Sequence, residues 1–360
     1  MARAPRKTEA RTDWYVELTN SILVKLAELK TDPKAWSKSW SGSFGAGIPQ
    51  NGLTGRKYNG LNIWLLFFAG HSDPRFYTFD QAKQACGYKK NPEWKGKADT
   101  YKGVAKWLWK GEGEDPKSGV RKGEKGTRIY FYNFIKKYED RAGKPVYKPT
   151  PAQIASGEVV CVASFPDIRI YTVFNAEQIS GLPVLDIPIV DPAEKYLAAE
   201  ALCEILGVKT THIPGIDTAC YRPGADGIIL PAPGQFENIE HYWSTRFHEI
   251  IHWTGHPSRL DRSLTNRFGS DAYAFEELIA ELGSAYLCAH LGIEGELRHP
   301  EYIAAWMTRM QDDKFAIFKA ASLAQKAVDF ILNGGVVEAT ADETTAEVDP
   351  EPVGAVSQAA

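Results

Sequence analysis

The sequence predicts an α+β chain of two domains, the first mixed and the second mainly helical. Three observations predict it. Charge is divided unevenly: residues 1–150 hold 29 Lys and Arg against 15 Asp and Glu, and the remainder holds 13 against 30. Runs rich in β-branched and aromatic residues cluster before residue 175. Apolar residues at helical spacing dominate from about residue 190 to residue 332. A chain of 360 residues ordinarily forms about two domains. The boundaries fall at 10–185 and 190–335, and residues 337–360 are a tail. That tail has six acids, no bases and no aromatics, and it reads as disordered.

The elements follow in order. Asp13 to Leu29 is a helix, with Tyr15, Leu18, Ile22, Leu23, Leu26 and Leu29 at helical spacing. Leu61 to Phe68 is a buried helix or strand, and Thr78 to Cys86 is a short helix closed by Gly87. Residues 88–119 are rich in lysine and tryptophan without a clean period, which reads as an extended insertion or loop. Strands follow at Thr127 to Phe134, Glu158 to Ala163 and Ile168 to Phe174. Asp191-Pro192 opens a helix as N-cap and N1 proline, and Gly207 closes it. Gly227 to Pro231 is a short strand. Phe236 to Thr254, Ala272 to Leu291 and His299 to Leu332 are helical, the last in two pieces stopped by Gly334-Gly335.

Composition excludes some classes. The five cysteines are scattered and form no C-x-x-C, which argues against a disulfide framework or a cysteine zinc site and fits a reducing cytosol. The charged N-terminus has no apolar run after it, and Ile63 to Ala69 is too short to span a bilayer. The expectation is a cytoplasmic protein without a membrane partner.

His248-Glu249-Ile250-Ile251-His252 fits H-E-x-x-H. On a helix, positions i and i+4 share a face, so both imidazoles can reach one cation. Glu249 can lean over the open coordination position as general base and take a proton from a water there. A catalytic zinc site also wants a third protein ligand. Gly255 continues the pattern as H-E-x-x-H-x-x-G, which resembles the start of the metzincin motif. That motif needs His or Asp where this chain has Ser258, and His256 is misplaced for it. Glu277 and Glu281 offer the alternative. They are spaced i,i+4 on a following helix and resemble the gluzincin E-x-x-x-D/E element. There the first acid ligates the metal and the second bonds a ligand histidine. This assigns Glu277 as third ligand and Glu281 as its supporting acid. Glu276 points about 100° away from Glu277 and is the weaker choice. The metal would be zinc, or another divalent ion such as Mn2+, one per chain. The strand Gly227 to Pro231 precedes the active helix, where zincin-like folds place an edge strand that pairs with extended peptides.

In the basic half, seven of the ten tryptophans lie among the excess lysines and arginines. Cations for phosphates and flat rings for bases are what binding to single-stranded nucleic acid needs. The candidate contacts are Trp36, Trp40, Arg56, Lys57, Tyr58, Arg121, Lys122 and Lys125.

Five motifs in order carry a family resemblance. They are Trp36-x-x-x-Trp40, Thr54 to Asn62, Val120 to Gly126, Tyr171 to Asn175, and the pair formed by Phe247 to His256 with Ser258-Arg259-Leu260 and by Glu276 to Glu281. Together they resemble the ArdC antirestriction family from about residue 12 to about residue 332. The stretch Tyr88 to Ser118 departs from that pattern. The resemblance implies a single-stranded-DNA-binding domain joined to a zincin-like metallopeptidase domain. It also implies a plasmid, phage or other mobile element as carrier and protection of incoming DNA from restriction; it leaves open whether the peptidase site has a protein substrate. The alternative is a non-catalytic DNA-coating or decoy protein whose metal is structural. A metal-dependent nuclease is disfavoured, because two-metal phosphoryl transfer usually wants several clustered acids.

Overall fold

The computed structural model describes residues 13–32, 47–96, 100–101, 104–185, 192–262, 264, 270–294 and 300–336. Trp36, Trp40, Asp191 and the acidic tail, all singled out in the sequence, lie outside the described residues. The described chain forms two compact units. One takes in residues through Phe76, Asn175–Glu177 and the chain from Leu182 on; the other takes in Tyr77–Phe174 and Gln178–Gly181.

The first unit opens with α1 (Trp14–Thr31), capped by the Asp13 side chain. Leu18, Ile22, Leu26 and Leu29 repeat at helical spacing and are buried. Thr19 donates to the carbonyl of Lys314, and Tyr15 packs edge-on against Phe315 and Phe318. Next come β1 (Gln50–Asn51), parallel to the start of β2 (Arg75–Thr78), and α2 (Leu61–Phe67), which resolves the helix-or-strand ambiguity as helix. Gly60 caps α2 with φ +53, its N–H donating to Gln325 and its carbonyl accepting from Tyr286. These long-range bonds explain why residues through Phe76 group with the later helices and not with the rest of the basic half. Local sequence carries no signal for such a choice.

The rest of this unit holds α5 (Pro192–Leu206), a three-stranded sheet, α6 (Ile239–Thr254), α7 (Asp271–Leu291), α8 (Ile303–Asp312) and α9 (Ala316–Leu332). The sheet is ordered β12 (Lys209–Ile213), β14 (Gly227–Pro231), β13 (Cys220–Arg222), with β12 parallel and β13 antiparallel to β14. This corrects one expectation. Gly227–Pro231 is the central strand; the edges are β12 and β13, and three residues were too few to announce the latter. Trp64, Phe67, Phe247, Tyr286 and Trp306 are fully buried side chains of this core.

In the second unit, α3 (Phe79–Ala85) starts with a capping box between Thr78 and Gln81. The insertion, read from sequence as irregular, contains two short antiparallel ribbons: β3 (Tyr88–Lys90) with β6 (Trp107–Trp109), and β4 (Thr100–Tyr101) with β5 (Val104–Ala105). β7 (Gly119–Val120) pairs with β11 (Ile179–Ser180). The three strand-like runs become two long partners, β8 (Thr127–Asp140) and β10 (Val159–Asn175), antiparallel from Val159↔Asp140 to Val173↔Thr127. Pairing passes straight through Pro166↔Phe134, where the sequence suggested a break, and shifts register between Cys161 and Ala163. β9 (Pro145–Val146) and α4 (Pro151–Ala155) fill the connection.

Candidate metal centre

α6 is fixed at its start by the Asn238 cap and is buried from Tyr242 to Ile251. α7 runs against it at close range. Gly283 permits this, because a Cβ there would meet Ile251 at 2.7 Å. That approach brings the acids of α7 to the imidazoles of α6.

Three ligand atoms converge. His248 Nε2 stands 3.1 Å from Glu277 Oε2 and 3.2 Å from His252 Nε2, and His252 Nε2 stands 3.5 Å from Glu277 Oε1. The ligand atoms of His248, His252 and Glu277 all lie within 4.8 Å of one another. Donors about 2.0–2.1 Å from a tetrahedral zinc stand roughly 3.3 Å apart. The observed spacings bracket that value, so the residues fit one divalent ion.

The far nitrogens of the rings are also addressed. His252 Nδ1 lies 3.3 Å from Glu276 Oε1, and His248 Nδ1 lies 3.6 Å from Glu281 Oε1. A proton on Nδ1 would leave the Nε2 lone pair for the ion, which is how carboxylates beside metal-binding histidines set their tautomer. Glu276 is itself gripped by the buried Arg262, whose NH2 donates to Glu276 Oε1 at 2.9 Å and to the carbonyl of Ile251 at 2.6 Å. Arg262 NH1 donates to Thr254 Oγ1. One guanidinium therefore ties the last turn of α6 to an acid of α7.

Electrostatics follow from burial and pairing. Burial disfavours a charged His252, but hydrogen bonds to Glu276 and Glu277 outweigh it and push the group up to about 10. Burial would raise Glu277, yet His248 and His252 hold it well below the ordinary carboxylate range. Glu276 is likewise lowered against burial by His252 and Arg262. Burial, with Glu277 beside it, pushes the Tyr273 phenol up. Buried acids around two imidazoles make a pocket that favours positive charge, whether a proton or a metal ion carries it.

Glu249 is 4% exposed, and its Oε2 accepts from the backbone N–H of Tyr221 on β13 at 2.8 Å. β13 is anchored in turn. The Tyr221 hydroxyl donates to Asp226, and Arg259 donates to Asp226, to the Tyr221 hydroxyl and to the carbonyl of Trp253. The sequence pointed to His248, Glu249, His252, Glu277 and Glu281, and the structure brings these five together. Sequence reasoning missed the parts of Glu276, Arg262, Arg259 and the Tyr221 backbone. Only Glu276 left a signal: two consecutive acids on one helix can serve two different rings.

The candidate DNA contacts are dispersed. Arg56 and Lys57 are exposed in the first unit, but Tyr58 between them and Asn59 is 8% exposed, and burial pushes its phenol up to about 12. This corrects the expectation for Tyr58, whose ring belongs to the core and presents no face for stacking. In the second unit Arg121, Lys122 and Lys125 are exposed. The turn that bears them is held by Gln178, which donates to Glu124 and to the carbonyl of Lys125. No helix among the described residues is long and apolar enough to cross a membrane.

Comparison with known proteins divides the chain differently, and the first matched model takes in parts of both compact units. Residues 12–174 match the model of the N-terminal domain of anti-restriction factor ArdC, and residues 197–323 match a zincin-like metallopeptidase model. The crystal structure of the antirestriction protein ArdC from plasmid R388, metal-free, aligns with a TM-score of 0.63 at 30% identity, covering 90% of this chain and 98% of that one. Its Mn(II)-bound form aligns with a TM-score of 0.60 at 29% identity, covering 90% and 99%. A DNA primase TraC of Escherichia coli is 38% identical over 85% of this chain, which spans only 26% of the primase. An uncharacterized protein, y4eC, of Sinorhizobium fredii (strain NBRC 101917 / NGR234) is 31% identical, covering 91% of this chain and 94% of that protein.

Proposed function

We propose that this chain, which belongs to the ArdC antirestriction family, binds single-stranded DNA through its basic half and carries a divalent metal-dependent peptidase site in its zincin-like domain. The observation that carries the reading is the convergence of His248, His252 and Glu277 within 4.8 Å beside the buried Glu249. Those three side chains would hold one ion, zinc or manganese, which when bound supplies Lewis acidity to a peptide carbonyl and to water. Glu281 and Glu276 orient the two imidazoles. Glu249 takes the proton of the attacking water and returns it to the leaving amine, a role worth about 10²–10⁴ in rate. The edge strand β13 lies beside Glu249, where an extended substrate can pair with its backbone. Phosphate contacts fall to Arg56, Lys57, Arg121, Lys122 and Lys125, all exposed. Trp36 and Trp40 remain candidates for base stacking. The setting is the cytoplasm of a bacterium that receives a plasmid, phage or other mobile element, and the outcome is protection of entering DNA.

The bond from Tyr221 N to Glu249 Oε2 favours a second reading. With that oxygen engaged, the metal would be structural and the protein would act by coating DNA. Glu249→Gln separates the two. On the first reading the variant binds metal and single-stranded DNA as the unaltered protein does but loses protection in a transformation assay against a restricting host. Undiminished protection by Glu249→Gln would transfer the function to DNA coating.

A further inference from the structure

From the last turn of α3 to the residue after β6 the chain is unusually cationic: residues 83–110 contain eight lysines, two acids and three tryptophans. Some of these side chains are accounted for by packing. The Trp109 ring covers Gly87 and Gly111, where an added Cβ would meet it at 2.8 Å and 2.2 Å. It also lies 5.2 Å from the buried Tyr88 ring. Lys83 donates to the carbonyl of Ser118 and sits 4.3 Å from that same ring. These groups hold the ribbon together.

The remaining side chains form another set. Antiparallel register places Lys90 opposite Trp107. Lys106 Nζ lies 5.2 Å from the Trp94 ring and 5.5 Å from the Trp107 ring, and Lys90 Nζ lies 5.8 Å from Trp94. Both rings are half-buried, while Lys89, Lys90 and Lys95 are exposed and Leu108 is 36% exposed. Asp80 pairs with Lys106 at 2.8 Å and leaves the lysine excess in place. Flat rings interleaved with ammonium groups suit a strand whose bases are unstacked and whose phosphates run alongside. A duplex hides its base faces and would use only the charge.

We propose that the β3–β6 ribbon is a further contact for single-stranded DNA, with Trp94 and Trp107 stacking on bases and the exposed Lys89, Lys90 and Lys95 meeting the adjoining phosphates. The proposal rests on the reading of the chain as a single-strand binder and extends it to residues outside the Arg121–Lys125 turn.

The test is fluorescence anisotropy with the full chain, a labelled 20-nucleotide oligothymidine and the matching duplex, titrated with salt. Trp94→Leu/Trp107→Leu should weaken single-strand binding roughly ten- to hundredfold, and Trp94→Phe/Trp107→Phe should recover most of it, because phenyl rings keep a face for stacking. Lys90→Ala should lower the slope of log affinity against log salt by about 0.7. If the leucine pair melts early, Lys90→Glu, at an exposed position, replaces it and should weaken single-strand binding at low salt. The proposal is overturned, and the single-strand reading kept, if the unaltered protein binds tightly while the leucine pair and the Lys90 variants match it in affinity and slope. Equal loss on duplex and single strand would also overturn it, since that reports charge without stacking. If the unaltered protein binds neither, the single-strand reading fails and this proposal with it.

Discussion

The metal centre and the tryptophan–lysine ribbon both gather charge, and they do so in opposite ways. At the centre Glu249, Glu277 and Glu281 are 1–4% exposed, and each side chain answers to another, so that Arg262, Glu276 and His252 form a continuous chain. On the ribbon Lys89, Lys90 and Lys95 are exposed. A buried charge must be paired, because desolvation without a partner costs several kcal/mol. An exposed one is screened and costs little. The centre should therefore respond to substitution as a unit, and the ribbon and the Arg121–Lys125 turn as sums of small parts.

The largest effect should come from Arg262→Met. The Arg262 and Glu276 side chains are 6% and 10% exposed, and removing one partner of a buried pair costs about 3–5 kcal/mol. Urea unfolding measures it; a loss below about 1 kcal/mol would make the centre as tolerant as an exposed ion pair. Next comes His290, which burial, with Lys57 nearby, pushes down to about 4. A depressed histidine favours its neutral form in the fold. Its contribution is fully present above the unfolded value of about 6.5 and is lost as pH falls through the window toward about 4, by roughly 1–3 kcal/mol. Unfolding curves between neutral and acid pH should fall less steeply for His290→Gln than for the unaltered chain, and identical slopes would remove His290 from the account.

Smaller again is Glu276→Gln, which keeps an acceptor for His252 but removes the charge. Chelator competition should show metal affinity reduced about 10- to 100-fold. An unchanged affinity would confine Glu276 to packing. Smallest are Arg121→Ala, Lys122→Ala and Lys125→Ala, each expected to lower the salt slope for single-stranded DNA by about 0.7 at most. Arg121, already paired with Glu124 at 2.6 Å, should give the least. Effects of these three that fail to add would break the contrast with the centre.

The same contrast explains what could be read from sequence. A metal centre needs atoms within a few ångströms, and here His248 and His252 fall at i,i+4 on one helix while Glu277 and Glu281 share a face of another, spacings that are visible in sequence. The buried Ile228 and Leu230 likewise announced β14. Arg262 and Tyr221, reached through tertiary folding, left no local trace. Arg262 meets Glu276 across fourteen residues, and Tyr221 reaches Glu249 from a three-residue strand. The union of α1 and α2 with the later helices depends on Thr19, Gly60 and their distant partners. Tyr58 failed as a stacking candidate because a tyrosine in a basic motif reads alike whether its ring faces solvent or core.

Equilibrium dialysis with Zn2+ or Mn2+ tests the central claim most directly, comparing the unaltered chain with Glu277→Gln and Glu276→Gln. The account predicts one ion per chain, its loss by well over about 100-fold in Glu277→Gln, and a weakened but still single site in Glu276→Gln. Unaltered binding by Glu277→Gln, or abolition by Glu276→Gln in its place, would contradict it.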